Sequence, residues 1–236
     1  MPRTTTPFLA AALLACCAAA AGARQGETKP AAPGDADALR AEQLCEQGRA
    51  HAARGADGRS EARRSFARAL GLYLDVYTRA RPGGEGSQAR FREQMRERLR
   101  GAPRCVEDYL ALGAGTPFER SQLAAFGGQA QMYLETDEAR GVLLGSEVDA
   151  RARITRRPEP RYPPDARTTG ARGTVRLRAV LAADGTVRHV LVLKGLPHGL
   201  TEECVAAARG IRFEPAVKGG RPVSQFVLLE YNLSLY

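Results

Sequence analysis

The chain has 236 residues, room for one large domain or two small ones with a buried core. With 44% hydrophobic and 26% charged residues, its composition is that of an ordinary globular protein. The net charge of +9 would suit nucleic acid, an anionic membrane surface or acidic proteins. The arginines, however, are spread along the chain, with no RNP-like aromatic motif, zinc-finger spacing or tight basic block, so nucleic acid is set aside as a partner.

Met1-Pro2-Arg3 opens the chain with positive charge, and an apolar, Ala-rich run follows from Phe8 to Ala23. That run is about sixteen residues, short of the roughly twenty that a membrane-spanning helix needs. It reads as an export signal, with Ala21-Gly22-Ala23 as a cleavage site before Arg24. Leu13-Leu14-Ala15-Cys16 also has the form of a lipoprotein signal, with Cys16 as the lipidated residue. Either route places the mature protein in the periplasm or cell envelope, and the second ties it to a membrane by a lipid anchor. Cys45, Cys105 and Cys204 remain beyond the signal. An oxidising compartment permits one disulfide, Cys45 to Cys105, with Cys204 left over; three buried thiols are the alternative. No C-x-x-C or Cys/His cluster offers a metal site.

Residues 24–36 contain Lys29-Pro30-Ala31-Ala32-Pro33-Gly34 and read as a flexible tether. A helical domain over 37–140 follows. Asp35 or Asp37 caps a first helix carrying Leu39, Leu44 and Cys45. In the second, Phe66, Leu70, Tyr73, Leu74 and Tyr77 fall on one stripe, and Pro82-Gly83-Gly84 ends it. Phe91, Met95 and Leu99 mark a third helix over 87–100, and Val106, Tyr109 and Leu110 a short fourth. Thr116-Pro117-Phe118-Glu119 is a capping box with Pro at the first helical position, opening a fifth helix with Leu123, Phe126 and Tyr133. Gly48, Ala62, Phe66 and Ala69 resemble positions of a tetratricopeptide helix pair. The spacing is too long and no second copy follows, so an ordinary helical hairpin is expected.

Residues 141–153 read as a linker into a β-rich segment over 154–236. Val175, Leu177 and Ala179 alternate with Arg176 and Arg178, as in a strand with one wet face. Asp184-Gly185 is a hairpin turn, and Val187 begins the returning strand. Thr201 caps a helix with Glu202 and Glu203 in its first turn, and a long last strand runs over 223–236. The β-β-α-β order predicts three antiparallel strands with a helix on one face. The whole chain is thus an α+β protein with an all-helical N-terminal domain.

The C-terminal segment resembles the C-terminal domain of the TonB family. The residues that carry the resemblance are Glu159-Pro160-Arg161-Tyr162-Pro163 with Ala166-Arg167, then Gly173-Thr174-Val175, Asp184-Gly185-Thr186-Val187, Arg212-Phe213-Glu214-Pro215-Ala216 and Gly220-Arg221-Pro222-Val223. The resemblance implies a domain that binds an extended segment of an outer-membrane receptor or another envelope protein, which adds as a strand beside the last strand. Carried over, the partner-binding residues are Gln225, Phe226, Val227, Leu228, Leu229, Glu230 and Tyr231, with Tyr162 and Pro163 as a nearby contact. Unpaired N–H and C=O groups on a sheet edge supply the physical reason. The same edge could pair with itself in a homodimer. Energy transduction is the third reading, and it requires the N-terminal run to stay in the membrane. The run has no His or Ser near its centre, and a folded helical layer replaces a long Pro-rich spacer. His51, His189 and His198 stand apart in sequence, His189 as a surface strand residue. No catalytic motif or paired carboxylates are present, so neither enzymatic activity nor a cofactor is expected.

Overall fold

The computed structural model describes residues 33–80, 88–113, 115–135 and 141–235. The signal run with Cys16, nearly all of the tether and the Pro82-Gly83-Gly84 stop lie outside the described residues. Five helices come first: α1 (Pro33–Ala52), α2 (Arg59–Arg79), α3 (Gln88–Leu99), α4 (Ala102–Ala111) and α5 (Pro117–Leu134). The apolar stripe read from the sequence is the buried face of α2, where Phe66, Leu70, Tyr73 and Tyr77 enter the core. Helix α1 starts earlier than the Asp caps suggested: Asp35 sits in its first turn, with its carboxylate 2.7 Å from Arg98 Nε. The Thr116–Glu119 capping box is formed in both directions at the start of α5.

Two features hold α1 in the layer. Gly48 packs directly on the Phe66 ring, where an added Cβ would lie 2.7 Å from the ring carbons. Cys45 is joined to Cys105 by a disulfide that links α1 to α4 across 60 residues. Closing a loop of that length removes about 4 kcal/mol of unfolded-chain freedom in the entropic account.

The β-rich part contains β1 (Val142–Leu143), β2 (Arg153–Arg156), α6 (Pro164–Thr169), β3 (Gly173–Leu181), β4 (Val187–Lys194), α7 (Leu200–Arg209), β5 (Arg212–Glu214), β6 (Ala216–Lys218) and β7 (Arg221–Leu233). The sheet is larger than three antiparallel strands. Its order is β1-β7-β3-β4, with β6 folded back on β7. Strand β1 lies in the stretch expected to be a linker, and it pairs with β7 in parallel, Val142 beside Ser224 and Leu143 beside Gln225. Two residues are too few to show a periodic pattern, and their partner lies some eighty positions further along the chain. A separate ribbon joins β2 to β5.

Strand alternation gives the sheet two buried faces. Val175, Leu177, Ala179, Val190, Leu229 and Tyr231 pack on Cys204, Val205 and Ala208 of α7. On the other face Val180, Leu191 and Phe226 join the core of the helical layer with Phe126 and Tyr133. Residues Ala32–Tyr236 accordingly cluster as one unit, with the sheet between α7 and the five-helix layer. Helix α7 begins at Leu200 with Gly199 as its cap. The Thr201 hydroxyl is therefore two positions too far inside to cap the helix, and instead bonds the Leu196 N–H and C=O, each at 2.7 Å.

Candidate functional site at the edges of the sheet

The outer edge of β4 is closed by a side chain. The Gln122 amide of α5 lies alongside the strand: its Oε1 accepts from Val192 N–H at 2.8 Å and its Nε2 donates to Val190 C=O at 3.3 Å. One carboxamide thus satisfies a donor and an acceptor that a neighbouring strand would otherwise fill. Two turns further along α5, Gln129 is fully buried. Its Oε1 accepts from Tyr77 O–H, and its Nε2 donates to His189 C=O at 2.5 Å and Arg178 C=O at 3.1 Å. The Arg178 guanidinium lies 4.7 Å from the Tyr77 ring centre. His189 is half-buried, not a surface strand residue. Its backbone has φ +48 at a β3–β4 register shift, and its ring packs against Gly128, where a Cβ would lie 2.2 Å from ring atoms. Burial, then the neighbouring Arg188 charge, lowers its pKa and favours the neutral ring.

The outer edge of β7 is covered differently. On one side β7 pairs with β3 without interruption from Gln225 to Leu233. On the other side β1 covers Ser224 and Gln225. Further along, Arg157 donates to the Glu230 C=O and its guanidinium stacks 4.2 Å over the Tyr231 ring. Among the described residues no strand pairs with 226–233 on that side. In an antiparallel ladder alternate residues turn both backbone groups to the same neighbour. Since the Glu230 C=O points outward, the N–H and C=O of Phe226 and Leu228 point outward too; Leu143, opposite Gln225 in the parallel pair, faces the Phe226 N–H, which leaves the Phe226 C=O and both Leu228 groups uncovered.

The residues expected to bind a partner fall into three groups. Gln225 is internal, 4% exposed, and its Oε1 accepts from Ala152 N–H at 2.7 Å; β1 also flanks its backbone. Phe226, Val227, Leu228 and Leu229 form the stretch left uncovered between β1 and Arg157. Leu228 is 51% exposed, while Phe226 is buried with its ring stacked 5.3 Å from Tyr133. Glu230 and Tyr231 are the residues on which Arg157 sits, and the Glu230 carboxylate pairs with Arg176 at 2.8 Å. Tyr162 and Pro163 are not beside the uncovered stretch. The Tyr162 hydroxyl bonds the Ala171 C=O, Pro163 caps α6, and Ala171 precedes the end of β3 that pairs with Leu233. Their side chains fix the approach to β3 at the far end of the sheet from Phe226.

An ion pair anchors β1 to the helical layer. Arg92 of α3 donates to Glu147 through Nε at 2.7 Å and Nη2 at 2.8 Å, and also to the Val142 C=O. Burial pushes the Glu147 carboxyl up. The Arg92 and Leu144 N–H hydrogen bonds outweigh it, with the Arg92 and Lys218 charges adding to them, and hold the pKa below its usual range. Cys204 is a buried free thiol, raised to about 11 by burial, and thus inert as a nucleophile. Among the described residues no group of three His, Cys, Asp or Glu is placed to hold a metal ion. No helix among them is long and apolar enough to cross a membrane.

The sequence reading missed Gln122, Gln129, Arg92 and Arg157. Each is a lone polar residue whose role depends on a partner at least 49 positions away, so no local spacing marks it.

Residues 158–233 match the family model described as the Gram-negative bacterial TonB protein C-terminal. No curated protein sequence matches the chain. Among solved structures, the Pseudomonas aeruginosa TonB C-terminal domain aligns at 26% identity over 37% of this chain and 92% of that one, with a TM-score of 0.30. The Helicobacter pylori TonB C-terminal domain aligns at 25% identity over 32% of this chain and 71% of its own, with a TM-score of 0.23. The last third of the chain is therefore a TonB C-terminal-like domain, and the family assignment covers that segment alone.

Proposed function

We propose that this is an envelope protein that captures an extended segment of a partner protein by strand addition to the outer edge of β7. The observation that carries the reading is the ladder left uncovered from the Phe226 C=O through Leu228, between β1 and Arg157. Main-chain hydrogen bonds to that ladder would give affinity, and the exposed Leu228 side chain a first point of selection. The match of residues 158–233 to a TonB C-terminal region supports a protein-binding role in the envelope. The segment available is shorter than Gln225 to Tyr231, because β1 occupies its start and Arg157 its end. Export through the N-terminal run, with or without a lipid on Cys16, belongs to the same proposal.

The test is an amide titration of the chain with short synthetic peptides of alternating Val and Thr. Strand addition shifts the N–H resonances of Leu228 and Glu230 and spares that of Val192, where Gln122 already sits. Leu228→Pro removes one outward N–H without touching the β3 ladder, and is expected to abolish the shift at Glu230 with little change in stability. Unmoved Leu228 and Glu230 resonances would refute capture at this edge. If these two amides are instead protected in a concentration-dependent dimer, the edge serves self-assembly.

A further inference from the structure

A groove of about 450 Å³ lies between the helical layer and the sheet face that carries Phe226. Its apolar walls come from both layers: Phe91 and Tyr133 from the helices, Leu193 and Phe226 from the strands. Its charged lining is Arg176, Arg178 and Lys194, with no carboxylate among the described lining residues.

Two of these cations are placed at a cost. Arg176 and Lys194 are directly opposite in the β3–β4 ladder, and like charges across a pair of strands repel. Arg176 is partly compensated by Glu230 on its other flank, at 2.8 Å. Lys194 is exposed and has no ion pair or hydrogen bond among the described residues. Arg178, on the same face of β3 as Arg176, rests on the Tyr77 ring. An anion at this end of the groove would relieve the Arg176–Lys194 repulsion, while a neutral ligand would leave it.

We propose that the groove binds a single-chain anionic amphiphile, its acyl chain lying on Phe91, Tyr133, Leu193 and Phe226 and its carboxylate between Arg176 and Lys194. The volume is that of a small-molecule site, predominantly apolar with a few convergent polar groups. A bilayer surface does not fit, because the apolar walls face each other across the groove and a flat membrane reaches only one. An extended acidic peptide would need its own backbone groups satisfied inside that apolar cleft, which an acyl chain does not. The groove adjoins the β7 edge, and Phe226, Val227 and Leu228 line it as well, but its charged end at Arg176 and Lys194 plays no part in strand addition.

Titration of the full chain with decanoate, followed through the methyl resonances of Leu193 and Leu144 and the ring resonances of Tyr133, tests the proposal. Decanol supplies the same chain without charge, and acetate the charge without the chain. Decanoate is expected to bind about ten-fold tighter than decanol, with acetate silent, and Lys194→Gln with Arg176→Gln removes that margin while leaving decanol binding unchanged. Lys194→Glu alone breaks no contact within the described residues and is expected to weaken decanoate while sparing the fold. Equal binding of decanoate and decanol, shifts confined to other parts of the chain, or no binding would each overturn the assignment. So would displacement of decanoate by an acidic Val/Thr peptide that itself moves the Leu193 methyls, since the groove would then be a peptide site.

Discussion

The two edges of the sheet are finished by different means. At β4 a helix lies over the strand and Gln122 supplies one amide in place of a neighbour. At β7 the cover is a two-residue strand at one end and a guanidinium further along, with open backbone between. A bare edge is an aggregation hazard, and both edges are partly covered: Gln122 takes two backbone groups in the middle of β4, while β1 and Arg157 leave only a few residues of β7 open. The helical layer does the closing at both places, through α5 at β4 and through Arg92 and Glu147 at β1. By anchoring β1 through Arg92 and Glu147, it sets one end of the uncovered stretch of β7, and Arg157 sets the other.

The largest expected effect comes from the disulfide. Replacing Cys45 and Cys105 with Ala should cost about 4 kcal/mol, read as a shift in denaturation midpoint. If the helical layer is what closes the β4 edge, the variant should also aggregate near its midpoint more readily than the parent. Gln129→Leu comes next. It leaves the Tyr77 hydroxyl and the Arg178 and His189 carbonyls without their buried partner, for a loss of about 2 kcal/mol. A change below about 0.5 kcal/mol would mean that water replaces the amide and that the layers are joined by apolar packing alone.

Much of this architecture was legible in the residues and some was not. The α2 stripe, the Thr116 capping box, the Asp184-Gly185 turn and the Val175–Ala179 alternation are local patterns, and each corresponds to an element of the structure. The Cys45–Cys105 pairing was reached from the two cysteines sharing one helical region, and the bond is present. The position of β7 within the sheet was not readable. It depends on Val142 and Leu143, two apolar residues too few to show a period and some eighty positions from the strand they join. Likewise Thr201 has the chemistry of a cap but sits two residues past the cap position, which Gly199 holds. The edge residues named from the TonB resemblance lie on β7, yet the resemblance carries no record of a helical layer that anchors the cover over part of it.

Gln122→Ala sharpens the contrast between edges at lower cost. About 1 kcal/mol should be lost, and the Val192 amide should exchange faster with solvent while Val227 and Leu229, which face β3, stay slow. The smallest effect is pH-linked. Glu147 has a depressed pKa in the folded chain, so its contribution is complete above its ordinary value of 4.5 and is lost as pH falls through the lower folded value. Acid should thus loosen β1 from α3 before the sheet opens, and Glu147→Gln should remove that step at a cost of about 1 kcal/mol.

Native-state amide exchange of the full chain tests the central claim most directly. The account predicts an alternating pattern along β7: Val227 and Leu229 protected by β3, Leu228 exchanging freely, and Val192 on the opposite edge protected by Gln122. Slow exchange at Leu228, at protein concentrations where the chain is monomeric, would show that this edge is already filled and would contradict the account.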